Sequence, residues 1–141
     1  MATSIGFKAF RRRMKILSEI TLGNVEKRVR KAALAADQVA VLATPVDTGR
    51  ARANWRVGVG TNPAGFDPDA SDPSGASAIA QGATAIGGWK SGNGSIYISN
   101  NVPYIIPLDE GSSAQAPSGM SAAAIQAARK FLVNGPTLFR R

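Results

Sequence analysis

The sequence predicts an α+β fold in a single domain spanning residues 1–141, with two N-terminal helices, a small antiparallel sheet and a C-terminal Ala-rich helix. Three observations lead there. Apolar residues recur at helical spacing as far as Ala43, the period changes to two after Gly49, and an Ala-rich stretch runs up to Asn134, Gly135 and Pro136. A chain of 141 residues is long enough for one core and buries roughly 70% of the surface its unfolded form exposes.

Phe7, Phe10, Met14 and Leu17 recur at spacings of three and four, with Lys8, Arg11, Arg12 and Lys15 between them, so residues 1–23 read as a basic amphipathic helix. The plain expectation is a surface helix packed by its apolar stripe, its basic face in water. Gly23 is a poor helix former and Asn24 a good N-cap, which predicts a break across Thr21 to Asn24. A second, long helix then covers residues 24–44, with Val25, Val29, Ala32, Ala36, Val39 and Ala43 on one face, and Pro45 stops it.

Beyond the turn at Val46 to Gly49, Ala53, Trp55, Val57 and Val59 alternate with Arg52, Asn54, Arg56 and Gly58, the pattern of a half-buried strand. Ile96 to Ser99 is a second strand. Pro103 and Pro107 would each remove a ladder donor, so Val102 to Leu108 reads as an edge strand or extended arm. Residues 118–134 form the last helix, with Met120, Ile125, Ala128, Phe131 and Leu132 available to the core. Residues 61–94 are rich in Gly, Ala, Ser, Pro and Asp and read as a flexible insertion. They either stay mobile at the surface or order against a neighbouring subunit. Within them Ser74 to Ile86 has the composition of a weak helix capped by Ser74, opposed by Gly75 and Gly82.

Charge narrows the function. Lys and Arg number 17 against 9 Asp and Glu, for a net charge of +8, and His and Cys are absent. Thiol nucleophiles, zinc fingers, His-metal sites, Ser-His-Asp triads and disulfides all need residues the chain lacks. Through Lys31 there are nine basic residues and only Glu19 and Glu26 to oppose them, so that segment carries +7 and the rest +1. Such a handle attracts phosphate, an acidic lipid surface or an acidic protein. No apolar run reaches the ~18 residues of a membrane span, and Ile16 and Leu17 before Ser18 are too few for a signal-peptide core. The expectation is a protein made in a cytoplasm, without a membrane partner.

Asp47, Thr48 and Gly49 match the aspartic-protease triplet, whose chemistry needs two carboxylates sharing a proton in an apolar site. Arg50, Arg52 and Arg56 follow at once and favour the ionised carboxylate, so Asp47 reads as a turn residue accepting local backbone bonds. Lys90 and Ser91 lack the glycine placement of a P-loop. Asp109 and Glu110 point to opposite faces of an extended chain, and read as partners for another chain's Arg or as caps of the turn at Gly111. The expectation is no enzyme, no metal and no cofactor.

Residues 44–58, TPVDTGRARANWRVG, resemble the helix-exit and first-strand segment of the neck and tail-completion proteins of long-tailed bacteriophages. Residues 96–120, IYISNNVPYIIPLDEGSSAQAPSGM, resemble the second signature of that family, in which a strand runs into Asn-Asn-x-Pro-Tyr, an acidic residue precedes Gly and Ser, and Gln-Ala-Pro-x-Gly-Met opens the last helix. The segment from Asp109 to Ser113 departs from that pattern, which carries a single acidic residue and often an aromatic there.

The resemblance implies a minor tail protein, a subunit of a hexameric ring at the head-tail junction or upper tail of the virion, assembled in the host cytoplasm. Its neighbours would be tail terminator, tail tube or head-connector proteins, and DNA would pass through the lumen without sequence readout. Carried over by position, Asp47, Thr48, Gly49, Arg50, Arg52 and Trp55 would shape the helix-to-sheet corner, with Trp55 in the alternating apolar row. Asn100, Asn101, Pro103, Tyr104, Glu110, Ser112, Gln115, Pro117 and Met120 would form the subunit-contacting arm, although Tyr104 suits a core equally. Lys8, Arg11, Arg12, Arg13 and Lys15 would face a protein partner or the lumen. The alternative from charge alone is a sequence-independent nucleic-acid-binding protein that uses this basic helix.

Overall fold

The computed structural model describes residues 2–116 and 118–133, with side chains from residue 6 onward. In chain order it contains α1 (Ala2–Ala43), α2 (Arg50–Ala53), β1 (Arg56–Val59), α3 (Ala76–Gly87), β2 (Ile96–Ser99), α4 (Ile105–Asp109) and α5 (Ser121–Val133). The α+β class holds. The two strands pair antiparallel with Val57 opposite Ile98 and Gly58 opposite Tyr97.

The two expected N-terminal helices are one. α1 runs unbroken for 42 residues, about 63 Å at ~1.5 Å per residue. Gly23 and Asn24 together cost roughly 1.5 kcal/mol against alanine, but no proline interrupts the hydrogen bonds, and propagation from a formed helix needs no new nucleus. The helix is also clamped immediately after them. Glu26 accepts a hydrogen bond from the Ser91 backbone N–H at 2.9 Å, and Arg30 donates to the Trp89 carbonyl at 2.8 Å. Hydrogen bonds from the Ser91 backbone and side chain hold the Glu26 carboxyl below its ordinary range.

The core is built from small side chains. Ala32, Ala40 and Val41 of α1, Ala78 and Ile86 of α3, and Ala124 of α5 are buried, with Trp89, Val102 and Met120 filling the larger spaces. α1 packs against both α3 and α5, and α3 also covers β1. Ile125, Phe131 and Leu132, expected in the core, are exposed on α5.

Three other expectations change. Arg50 to Ala53 form a helical turn, so the first strand shortens to Arg56–Val59. Residues 61–94 are not structureless, because α3 packs within the single chain. Its start is tied by Asp72, whose carboxylate accepts from the Gly75 and Ala78 N–H groups at 3.1 and 3.0 Å. Ser74 contributes one longer bond from Ala76. The expected extended arm contains α4 instead. Pro107 is its third residue, where a helix makes no use of the missing N–H. Asn134, Gly135 and Pro136 lie outside the described residues.

One buried group has no compensation. Asp37 is 2% exposed, and among the described residues it makes no hydrogen bond or ion pair. Burial pushes its carboxyl up to about 6. It faces Gly82, where a Cβ would overlap Oδ2 and also crowd the Val57 methyl. The glycine that argued against α3 is thus what lets α3 lie against α1.

Candidate functional site

The helix-to-sheet corner begins at the C-terminus of α1, where carbonyls lack helical partners. Arg52 supplies them. Its Nη2 donates to Leu42 O and its Nε to Thr44 O, both at 2.9 Å, while Nη1 reaches Pro73 O at 2.7 Å. Thr44 Oγ1 donates to Ala40 O at 2.6 Å and accepts from Trp55 Nε1 at 2.7 Å. Trp55 is therefore fixed by a polar bond as well as by packing. Gly49 adopts φ 81°, and a Cβ there would stand 2.6 Å from Pro73 N. Thr48 O accepts from Ser71 Oγ, and Gly49 O from Asp72 N, so the corner also anchors the insertion. The expected local bonds of Asp47 are missing; its side chain is exposed and unbonded among the described residues. A water-exposed carboxylate does not provide the dry, shared-proton pair of an aspartic protease.

The second segment folds onto this corner. Gln115 Oε1 accepts from Val46 N at 2.9 Å and its Nε2 donates to Val46 O at 3.3 Å, the pairing a strand would make. Asn100 Nδ2 donates to Ala51 O at 2.7 Å, and Asn101 Nδ2 to Pro63 O and Gly65 O at 3.0 and 3.1 Å. Met120 is fully buried, so it is a core residue and not a contact surface. Pro103, Tyr104, Glu110 and Ser112 remain exposed, and Pro117 lies outside the described residues. A cleft of about 270 Å³ opens where the segments meet, between Asp47, Thr48 and Arg50 on one side and Tyr104, Leu108 and Gln115 on the other.

Asp109 does not cap the turn at Gly111; it is engaged within its own chain. Its carboxylate accepts from the Met120 and Ser121 N–H groups at 2.8 Å and from the Ser121 hydroxyl, closing the start of α5. The Ser121 bonds hold its carboxyl below the ordinary range. Gly119, at φ 78°, brings Met120 and Ser121 within reach; a Cβ there would collide with Asp109 O.

The N-terminal half of α1 forms a separate surface. Phe7 and Phe10 are 62% and 58% exposed, and Met14 and Leu17 are exposed with them, so the stripe expected to pack on the body is bare. Lys8, Arg11, Arg12, Arg13 and Lys15 are exposed as well. The Arg11 guanidinium stands 6.0 Å from the Phe7 ring centroid, which places positive charge at the stripe's edge.

Among the described residues no group of three acidic side chains could hold a metal, and no helix is long and apolar enough to cross a membrane. Sequence reasoning missed the burial of Asp37 and the bonds of Asp109 to the start of α5. Comparison with protein-family models, curated proteins and solved structures gave no match.

Proposed function

We propose that the chain is a structural subunit of a phage neck or tail-completion ring, positioned by protein contacts around a DNA channel. The observation that carries this reading is the bare first half of α1, an apolar stripe edged by five basic residues that the other described residues leave uncovered. An isolated soluble domain gains nothing from exposing two phenylalanines, a methionine and a leucine in one row, whereas an assembly subunit buries such a row against its neighbour. The meeting of residues 44–58 and 96–120 at one corner supports it, since these are the segments that carry the resemblance.

The experiment is electron microscopy of purified particles, with this chain located in a ring at the head-tail junction as the expected result. Changing Arg11, Arg12 and Arg13 together to Glu should block joining of tails to heads while the circular dichroism of the isolated protein is unchanged. The density of basic residues favours the second reading, a sequence-independent DNA binder. In that case the protein retards any duplex, with affinity falling steeply with salt, and the same triple change abolishes retardation.

A further inference from the structure

We infer that the apolar-basic stripe of α1 docks into a groove on a second copy of the same chain, a head-to-tail contact that rests on the ring reading proposed above. The groove measures about 340 Å³ and lies between β2, α4 and the start of α5. Ile98, Ile105 and Ile106 make it apolar, and Asp109 and Glu110 stand at its rim. Ile106 is 67% exposed and Glu110 is exposed without a partner among the described residues. The wall also contains the Ser99 hydroxyl, a buried polar atom that has no hydrogen-bond partner among the described residues.

Charge selects a second copy as the occupant. Residues 57–128 contain Lys90 as their only basic residue against Asp67, Asp69, Asp72, Asp109 and Glu110, whereas the segment through Lys31 carries +7. Stripe against stripe would bring like charges together. Stripe against groove sets Phe7, Phe10 and Met14 on the isoleucines and brings Arg11 toward the acidic rim.

Geometry makes the contact intermolecular. The groove includes Trp55, whose indole is bonded to Thr44 just beyond the end of α1. Phe10 lies 34 residues before Thr44, about 50 Å away along a helix rising ~1.5 Å per residue. A chain therefore cannot fill its own groove. Because stripe and groove are different surfaces, the contact is heterologous, and it closes into a ring when the rotation between copies divides a full turn.

Complementary variants test this, since all the altered side chains are exposed and circular dichroism can verify their folds. Phe7→Ser with Phe10→Ser removes the stripe; Ile106→Asp removes the groove. By analytical ultracentrifugation the wild type should form species larger than dimers, and each variant alone should be monomeric. An equimolar mixture should stop at dimers, because only one stripe and one groove remain compatible. A monomeric wild type, an Ile106→Asp protein that assembles normally, or a mixture that stays monomeric would each overturn the contact. Particles whose neck ring contains Ile106→Asp copies would refute the contact while leaving the ring reading intact; wild-type particles with no ring of this chain at the head-tail junction would refute that reading itself.

Discussion

Replacing Asp37 by Asn should stabilise the protein at neutral pH, contrary to the usual effect of a core substitution. The carboxyl sits between α1 and α3 at 2% exposure, and burial alone raises its proton affinity, from an ordinary value of 3.8 to about 6. At about 1.4 kcal/mol for each tenfold change in that affinity, holding the ionised form in the fold costs about 3 kcal/mol. The folded state binds this proton more tightly than the unfolded one. The associated stability is therefore fully present below about pH 4 and is lost as pH rises through about 6. Asn has nearly the shape of the protonated acid and no charge, so Asp37→Asn should match wild type near pH 4 and exceed it by roughly 2–3 kcal/mol at pH 7.5. Urea unfolding of both proteins, followed by circular dichroism at half-unit steps from pH 4 to 8, measures the difference directly. A pH-independent difference, or a less stable Asn variant at pH 7.5, would refute the assignment of an uncompensated buried charge.

Gly82→Ala should destabilise by roughly 1–3 kcal/mol in thermal melts, because its Cβ would overlap the Asp37 carboxylate; combining it with Asp37→Ala should recover much of the loss. Arg52→Ala should cost about 3 kcal/mol in denaturant unfolding through the three carbonyls it releases, and Arg52→Lys should restore little of it, since an ammonium cannot reproduce the planar fork. Asp109→Ala should cost about 1 kcal/mol at pH 7 as α5 loses its N-terminal acceptor. The lowered carboxyl of Asp109 contributes only above the ordinary carboxylate range, so this difference from wild type should shrink as pH falls through its folded value.

Long periodic segments were legible because their pattern repeats. The Ala-rich face from Ala32 to Ala43, the strand Ile96 to Ser99 and the helix after Met120 all announce themselves over several turns or alternations. Junctions were not, because one residue there has several uses. Gly23 followed by Asn24 is a stop-and-restart signal locally, yet the clamp from Glu26 and Arg30 to the Trp89 loop is 59 to 65 residues away in sequence. Pro107 argues equally against a strand and for the first turn of a helix, and the chain takes the second course, with Pro103 just ahead of α4. Asp37 left one readable trace: a lone acid in a run of small apolar residues, with a lone buried glycine in another Ala-rich segment to receive it. The site followed the same division. Residues 44–58 and 96–120 stood out in sequence, but Arg52 as the C-terminal cap of α1 and Gln115 as a surrogate strand partner depend on contacts across 8 to 69 residues.

The unbroken α1 also governs how copies of this chain could meet. A helix broken at Gly23 would let the stripe swing freely, and each docking event would have to fix that orientation at an entropic cost. In the continuous helix the stripe is held at one angle to the corner, because Arg52 and Thr44 fasten the C-terminal end while Glu26 and Arg30 fasten the middle. Phe10 is then about 24 Å beyond Glu26 on a rod whose base cannot turn. With stripe and groove on one rigid body, the rotation relating two docked copies is set within the fold of each. In the ring proposed above, that rotation, repeated identically, would determine how many copies close it. In the proposed ring the hydrogen bonds of the corner, one of which holds Trp55 in the groove wall, would therefore bear on the number of subunits as well as the residues that touch.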